Sequence, residues 1–418
     1  MNAWARRVGV ALVLAMMGLG CSTSGESTTG EDADAAPELL LDVGSEVPGD
    51  LGAESALEIL AEVQAEIPIP SEPFFESGLI VQEDAIPCME WETGTVLEHC
   101  NHHGSSVDVT ADGTVIATWY HGKGEKSKDS RLLWAVKPAG ADWQPWEVLY
   151  DDPGLAEGNP VIWVSEADEW LVFFVTIEGE SWSDGVIRLI RSDDRGEHWT
   201  EPVTLRAAWN GMTRNKPIRL PGGELLLPLY DESWYAPSSM RSKDDFVSDW
   251  QEFWLEGTAL IEHIHMIQPT VIPRDDGSVF ALLRNTNEAV PQQAWEMESL
   301  DGGQTWGEAR ASVVPNHGAS LEMTLMNDGV VALTFNNSTS GRFPLSVALS
   351  DDEGRTWSAV ADLFAECPGA GCSYAYPSIA QDPTDGSLWV TYTHNRRTIG
   401  WVHTNAPWIR AQGGVFAD

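Results

Sequence analysis

The sequence predicts an all-β propeller of six blades, and three observations carry that prediction. An octamer recurs as SDDRGEHW at Ser192–Trp199, SLDGGQTW at Ser299–Trp306 and SDDEGRTW at Ser350–Trp357. With a degenerate copy at Ser242–Trp250 (SKDDFVSDW) and a trace at Ala141–Trp146 (ADWQPW), the starts fall roughly 50 residues apart, the spacing of stacked supersecondary units. Alternating apolar runs flank the copies, and no long helical periodicity follows residue 88.

The chain begins outside that fold. Arg6 and Arg7 precede an apolar stretch, Val8–Leu19, too short for a stable membrane span and of the length of a secretory signal. Gly18-Leu19-Gly20-Cys21 resembles the lipobox of bacterial lipoproteins, which implies cleavage before Cys21 and a lipid on its thiol. Ser22 rather than Asp follows, which implies the outer membrane. Residues 1–20 therefore read as a lipoprotein signal peptide. Residues 21–87 read as an acidic, disordered tether, because 22–87 hold 16 Asp and Glu with no Lys or Arg. Such a composition buries too little apolar surface to offset the entropy of ordering. Ala53–Ile67 is its one amphipathic stretch.

The formal net charge is −40, of which −26 belongs to residues 88–418. That balance excludes nucleic acid as a partner, since phosphate binding needs clustered positive charge. An anionic glycan would need a local cationic pocket. Apart from Cys21, the cysteines fall into two local pairs, Cys88 with Cys100 and Cys367 with Cys372. Local pairing is the simplest of three connectivities in an oxidising compartment. The spacings fit no common zinc pattern, and no metal or cofactor is expected.

Each octamer reads as a hairpin turn. Asp accepts hydrogen bonds from turn amides, Gly supplies the positive φ, and Trp returns into the blade core. Five octamer positions and the runs Leu388–Thr393 and Ile399–Thr404 give six blades, or seven if Cys88–His103 forms its own sheet. The extended segment after Cys88 is expected to join the last blade and remove the open sheet edge.

The octamer is similar to the Asp-box, or BNR repeat, of the sialidase superfamily. Further segments resemble the predicted neuraminidases of that group over roughly residues 98–410. They include NHHGSSVDVTADGTVIATWYHG from Asn101, GNPVIW from Gly158 and RNKPIRLPGGELLLPLY from Arg214. IQPTVI from Ile267, GRFPLSVALS from Gly341, and YPSIAQ with VTYTHNRRTIGWVH ending at His403 complete the set. The resemblance implies a sialidase-like propeller, with Asp194, Asp301 and Asp352 structural and away from the active face. It also implies a Tyr nucleophile, an Asp acid/base and an arginine clamp for a carboxylate. Arg284 and Arg342 match two clamp positions, Tyr376 the nucleophile with Tyr374 beside it, and Asp129 the acid/base loop. Two positions depart: His102 and His103 stand where the first Arg is expected, and Gln268 where the Glu partner of the Tyr is expected.

These departures leave three readings open. A sialidase-like exo-glycosidase would act on a sialic or uronic acid containing glycan. Its catalytic set would be Tyr376, Asp129, His103, His121 and Gln268, with His102, Arg214, Lys216, Arg284, Arg342 and Tyr230 binding the sugar. A polysaccharide lyase would use a His base, a Tyr acid and an Arg on the uronate, since His102 or His103 and His121 end one predicted hairpin and could face the channel. A glycan-binding lipoprotein would bind without turnover. His263 and His265 share a strand face, where packing beside the channel is the plainer reading than metal binding. Trp119, Trp209 and Trp234 are candidate sugar platforms among Trp residues that mostly anchor blades. The expected partners are a glycan and, through the lipid, a membrane; the expected state is a monomer.

Overall fold

A computed structural model describes residues 72–418 except 255–264, 288–291, 368–370 and 418. The signal segment, Cys21, Ala53–Ile67 and His263 lie outside the described residues. The rest forms six antiparallel sheets of a β-propeller.

Blade 1 runs from its inner strand outward as Asn101–Val109, Val115–Gly122, Arg131–Lys137 and Glu147–Tyr150. Blade 2 follows as Ala156–Val164, Trp170–Ile177, Gly185–Ser192 and Val203–Arg206. Blade 3 has a broken inner strand, Gly211–Thr213 and Ile218–Arg219, both paired with Leu225–Asp231, then Ala236–Ser242 and Gln251–Trp254. Blade 4 comprises Met266–Pro273, Val279–Asn285, Gln293–Ser299 and Arg310–Pro315. Blade 5 comprises Glu322–Leu325, Val331–Asn336, Leu345–Ser350 and Ala359–Asp362. Blade 6 takes Tyr374–Gln381, Leu388–His394 and Thr398–Thr404 from the end of the chain, and its outer strand, Phe75–Val81, from the beginning.

Ring closure is thus made by a strand earlier than the sequence suggested. Phe75–Val81 falls inside the stretch read as tether, and pairs Phe75 with Thr404 through Val81 with Ile399. This acidic stretch is held by its pairing with Thr398–Thr404 and by aromatic contacts at its start, where Phe75 stacks on Trp408 of the short helix Ala406–Gln412 and Phe74 packs on His403. Cys88–His103 adds no seventh sheet. Cys88 and Cys100 form a disulfide around a loop with one isolated bridge, Met89 to Val96, and Cys367 pairs with Cys372.

The octamers close the third and fourth strands of blades 2 to 5. In each, the Ser hydroxyl bonds the Asp carboxylate and accepts the amide four residues on, as Ser350 does with Asp352 and Gly354. Gly196, Gly303 and Gly354 all have positive φ, and in the degenerate copy Phe246 takes that conformation at 64°. These turns sit at the end of the propeller opposite the starts of the inner strands, so their Asp residues are structural.

The channel is plugged by blade 3. The break in its inner strand directs Arg214 and Lys216 across the axis. Arg214, 2 % exposed, donates from Nε to Ser320 Oγ (2.9 Å), and from its terminal nitrogens to Ser105 O (3.2 Å) and Pro377 O (2.8 Å). Lys216 Nζ donates to Val107 O (3.0 Å), Ile379 O (2.6 Å) and Glu322 Oε2 (3.4 Å). Glu322 in turn accepts from Ser378 Oγ and the Ile379 amide. Removing one member of a buried pair strands the other, at a cost of about 3–5 kcal/mol. Lys216→Met is therefore expected to lower the unfolding free energy by about that amount in urea titrations, and adding Glu322→Gln should restore part of it.

Candidate active site

Four inner-strand positions share one device at the same end of the propeller. Gly104, Asn159, Gln268 and Tyr376 have φ of 63°, 48°, 54° and 50°. Each sits in a register shift: between His103 and Ser106, Gly158 and Val161, Ile267 and Thr270, and Ala375 and Ser378. In three of the four, proline follows: Pro160, Pro269 and Pro377. A β-bulge turns one side chain out of the alternation and aims it elsewhere. Here the bulges aim Asn159, Gln268 and Tyr376 into one cavity of about 470 Å³. Holding a non-glycine residue in the left-handed region costs about 1–3 kcal/mol.

Their side chains form a chain of hydrogen bonds. Asn159 Nδ2 donates to Tyr230 Oη (3.4 Å), and Gln268 Nε2 donates to both Tyr230 Oη and Tyr376 Oη (3.3 Å each). Arg284 donates to Tyr376 Oη (3.2 Å) and to Gln268 Oε1 (3.3 Å). The Tyr376 oxygen thus accepts two donors. Burial alone would raise its pKa, but Arg284 and Arg342 outweigh burial and the opposing Glu125 charge, and the Gln268 bond adds to them. The phenol is held below its usual range. Gln268 donates to the phenol oxygen, whereas a glutamate carboxylate at this position could only accept from it. Arg214, Arg284 and Arg342 place their guanidinium carbons 5.0, 5.9 and 5.7 Å from the Tyr376 ring centre.

A third arginine reaches the cavity from blade 6. Arg396 lines the cavity and pairs with Glu125 at 2.6 Å. It sits in the three-residue connection Asn395–Arg397 of blade 6, with φ of 52° at Asn395 and 59° at Arg396, the double positive φ of a type I′ turn. The His102 amide donates to Arg396 O, which ties that turn to blade 1.

Several sequence candidates lie elsewhere. Arg214 and Lys216 sit beneath the cavity as channel staples, and neither lines it. His102 is buried, accepts from Trp119 Nε1 and faces His121 at 4.4 Å, away from the cavity. Burial lowers its pKa to about 3 and that of His121 to about 4. His121 and Asp129 line a second cavity of about 230 Å³ under the Cys88–Cys100 loop. The Asp129 carboxylate accepts from the Lys123 amide and Ser127 Oγ, so it shapes the loop that carries Glu125. His103 is fully buried against the Tyr376 ring at 4.3 Å, with Nδ1 3.1 Å from Thr393 Oγ1 and Nε2 3.4 Å from Glu125. Burial and the surrounding arginines push its pKa well down. Tyr374 stacks on Phe364 within a hydrophobic cluster, and Trp119 is wholly buried. His265 lines the cavity and stacks on Tyr235.

Glu125, Asn159, Trp182, Glu232, Tyr235 and Arg396 join the cavity without having been expected. Asn159 and Arg396 carry a readable signal. Asn159-Pro160 repeats the pattern of Gln268-Pro269 and Tyr376-Pro377, and Asn395 marks a hairpin turn between two strand runs. Ultraviolet absorbance titration should show a tyrosine ionising below the usual phenol range. That step should vanish in Tyr376→Phe and move upward in Arg284→Gln.

A family model described as a BNR repeat-like domain matches residues 113–391. A comparison with curated proteins finds no match. Among solved structures, a protein of unknown function from Dyadobacter fermentans is similar with a TM-score of 0.61 at 16% identity, covering 81% of this chain and all of its own. The NanB sialidase from Streptococcus pneumoniae gives 0.63 at 12% identity, covering 84% and 73%. The leech intramolecular trans-sialidase gives 0.60 at 14% identity, covering 74% and 69%. At these identities the likeness is one of fold.

Proposed function

The chain belongs to the family of BNR repeat-like domains, and on that premise we propose that it is a glycoside hydrolase that removes a terminal acidic sugar from a glycan. The observation that carries this reading is the Tyr376 oxygen, which accepts hydrogen bonds from Arg284 and Gln268 in an open cavity that Arg342 and Arg396 also line. Three guanidinium groups suit a sugar carboxylate, because their planar forks bind it with charge-assisted bonds. In a chain of net charge −40, such a cationic pocket is the local exception that an anionic ligand requires.

Within this reading Arg284, Arg342 and Arg396 hold the carboxylate, and Tyr376 attacks the anomeric carbon as a phenolate. Covalent attack splits a difficult displacement into two easier ones. The lyase alternative needs a base with access to a ring carbon. His103 is buried behind Tyr376, and His102 and His121 face away from the cavity, so hydrolysis is the better supported chemistry. The tether, Cys21 and Ser22 support a lipid-anchored enzyme at the outer membrane. Labelling with radioactive palmitate should mark the wild type and not Cys21→Ser.

Mass spectrometry of products from sialosides and uronate-containing glycans tests the activity. A released sugar carrying one added water, absent with Tyr376→Phe, is the expected result. An unsaturated uronate without added water would establish elimination instead, and retained binding with no product would leave a glycan-binding protein.

A further inference from the structure

The cavity holds two carboxyl groups, and their surroundings differ. Glu125, on the blade 1 loop, is committed to Arg396 at 2.6 Å, with His103 Nε2 at 3.4 Å and Tyr120 Oη at 3.5 Å. Glu232 lies on the blade 3 turn that follows Leu225–Asp231 and makes no side-chain hydrogen bond or ion pair among the described residues. Its turn is nevertheless held firmly. The Glu232 amide donates to Asn210 O, and Asp231 Oδ1 accepts from the Ser233 and Trp234 amides at 2.8 and 2.9 Å. Ser233 Oγ bonds Asn210 Oδ1, and Arg206 donates to Trp209 O at 2.7 Å.

That frame presents two exposed indoles beside Glu232. Trp234 is 77% exposed at the tip of the turn and Trp209 is 51% exposed on the adjoining loop. Neither indole lines the cavity itself, but Trp234 lies two residues beyond Glu232 on a turn whose backbone is fixed, and an exposed indole there offers a stacking surface for a next ring. The arginines lie on blades 4, 5 and 6, so a carboxylate bound there leaves the side lined by blades 1, 2 and 3, Glu232 included, for the departing sugar.

We infer that Glu232 is the proton donor to the leaving oxygen, and that the departing sugar lies across Trp234. This rests on the Tyr376 reading above. In the first half-reaction the Tyr376 phenolate oxygen bonds to the anomeric carbon and the exocyclic C–O bond breaks. The Glu232 proton passes to the leaving oxygen. In the second, the Glu232 carboxylate takes a proton from water, the water oxygen bonds to the anomeric carbon, and the phenolate leaves. Burial raises the Glu232 carboxyl to about 7; Arg284 opposes, Asp231 and Glu125 add to the rise, and Lys126 opposes. Glu232 can therefore hold its proton near neutral pH, and its carboxyl makes no ion pair among the described residues while Glu125 is engaged with Arg396.

The test compares Glu232→Gln and Glu232→Ala with the wild-type full chain on paired substrates. These are 4-methylumbelliferyl N-acetylneuraminide against 3′-sialyllactose, and 4-methylumbelliferyl glucuronide against a glucuronyl disaccharide. General acid catalysis contributes about 10²–10⁴-fold, so the variants should lose at least about 100-fold in kcat/KM on the oligosaccharide. They should lose less than about 10-fold on the aryl glycoside, whose leaving group needs little protonation. Added azide should accelerate Glu232→Ala on the aryl substrate, and the wild-type alkaline limb near pH 7 should disappear. Unchanged activity, equal losses on both substrate types, or the leaving-group signature in Glu125→Gln instead would each overturn the assignment while leaving the Tyr376 reading standing. Wild-type inactivity on all four substrates would overturn the Tyr376 reading and this assignment with it.

Discussion

Two cations that leave blade 3 and cross the channel hold the arrangement on which the site depends. Arg214 binds backbone carbonyls of blades 1 and 6 and the Ser320 hydroxyl before blade 5. Lys216 repeats the pattern two residues on, with Glu322 as its counter-charge. Burying two cations is costly unless their donors are matched, and here backbone carbonyls and one carboxylate match them. Because the same groups contact several blades, they fix the relative positions of inner strands that belong to different sheets. Tyr376 lies directly above, its ring 5.0 Å from the Arg214 guanidinium carbon. The plug and the cavity are therefore one stack, with structure below and reactive groups above.

On that base the bulges do the aiming. An unbroken strand would alternate its side chains between the two faces of a blade. One extra residue at Asn159, Gln268 and Tyr376 turns each of them toward the axis, and a left-handed backbone conformation accompanies the turn. The strain is local and the packing that resists it is broad, because blade cores such as the cluster around Val161, Phe173 and Leu227 surround the strands below. Polar groups brought together this way need partners, and they supply them to one another through Tyr230, Gln268 and Arg284. The electrostatic result runs against the bulk of the chain: an acidic protein carries its arginines at the mouth of its axis.

How much of this was legible depends on distance along the chain. Ser192, Asp194, Gly196 and Trp199 sit within eight residues, so the turn they build could be read directly. The disulfides Cys88–Cys100 and Cys367–Cys372 are likewise local. Tyr376, Arg284, Arg342 and Gln268 were found through resemblance, and with the sugar-binding candidate Tyr230 they converge on one cavity. Arg214, Lys216, Asp129, His102 and His121 have suitable chemistry but are used for packing, capping or the second cavity. Residue type cannot reveal which end of a strand break or which wall of a loop a side chain faces.

The sequence by itself determined the class of fold and its period, because alternation and turn chemistry act over a few neighbouring residues. It also determined the acidic balance, and its resemblance to the Asp-box family implied that Asp194, Asp301 and Asp352 are structural. Only the tertiary structure decided that Phe75–Val81 closes the ring, that Arg396 lines the cavity while His102 does not, and that Glu125 and Glu232 face the cavity while Asp129 does not. Those outcomes join residues up to some three hundred positions apart, as the Phe74 amide and Asn405 are joined. Their partners are chosen by the closure of the ring, and nothing local encodes it.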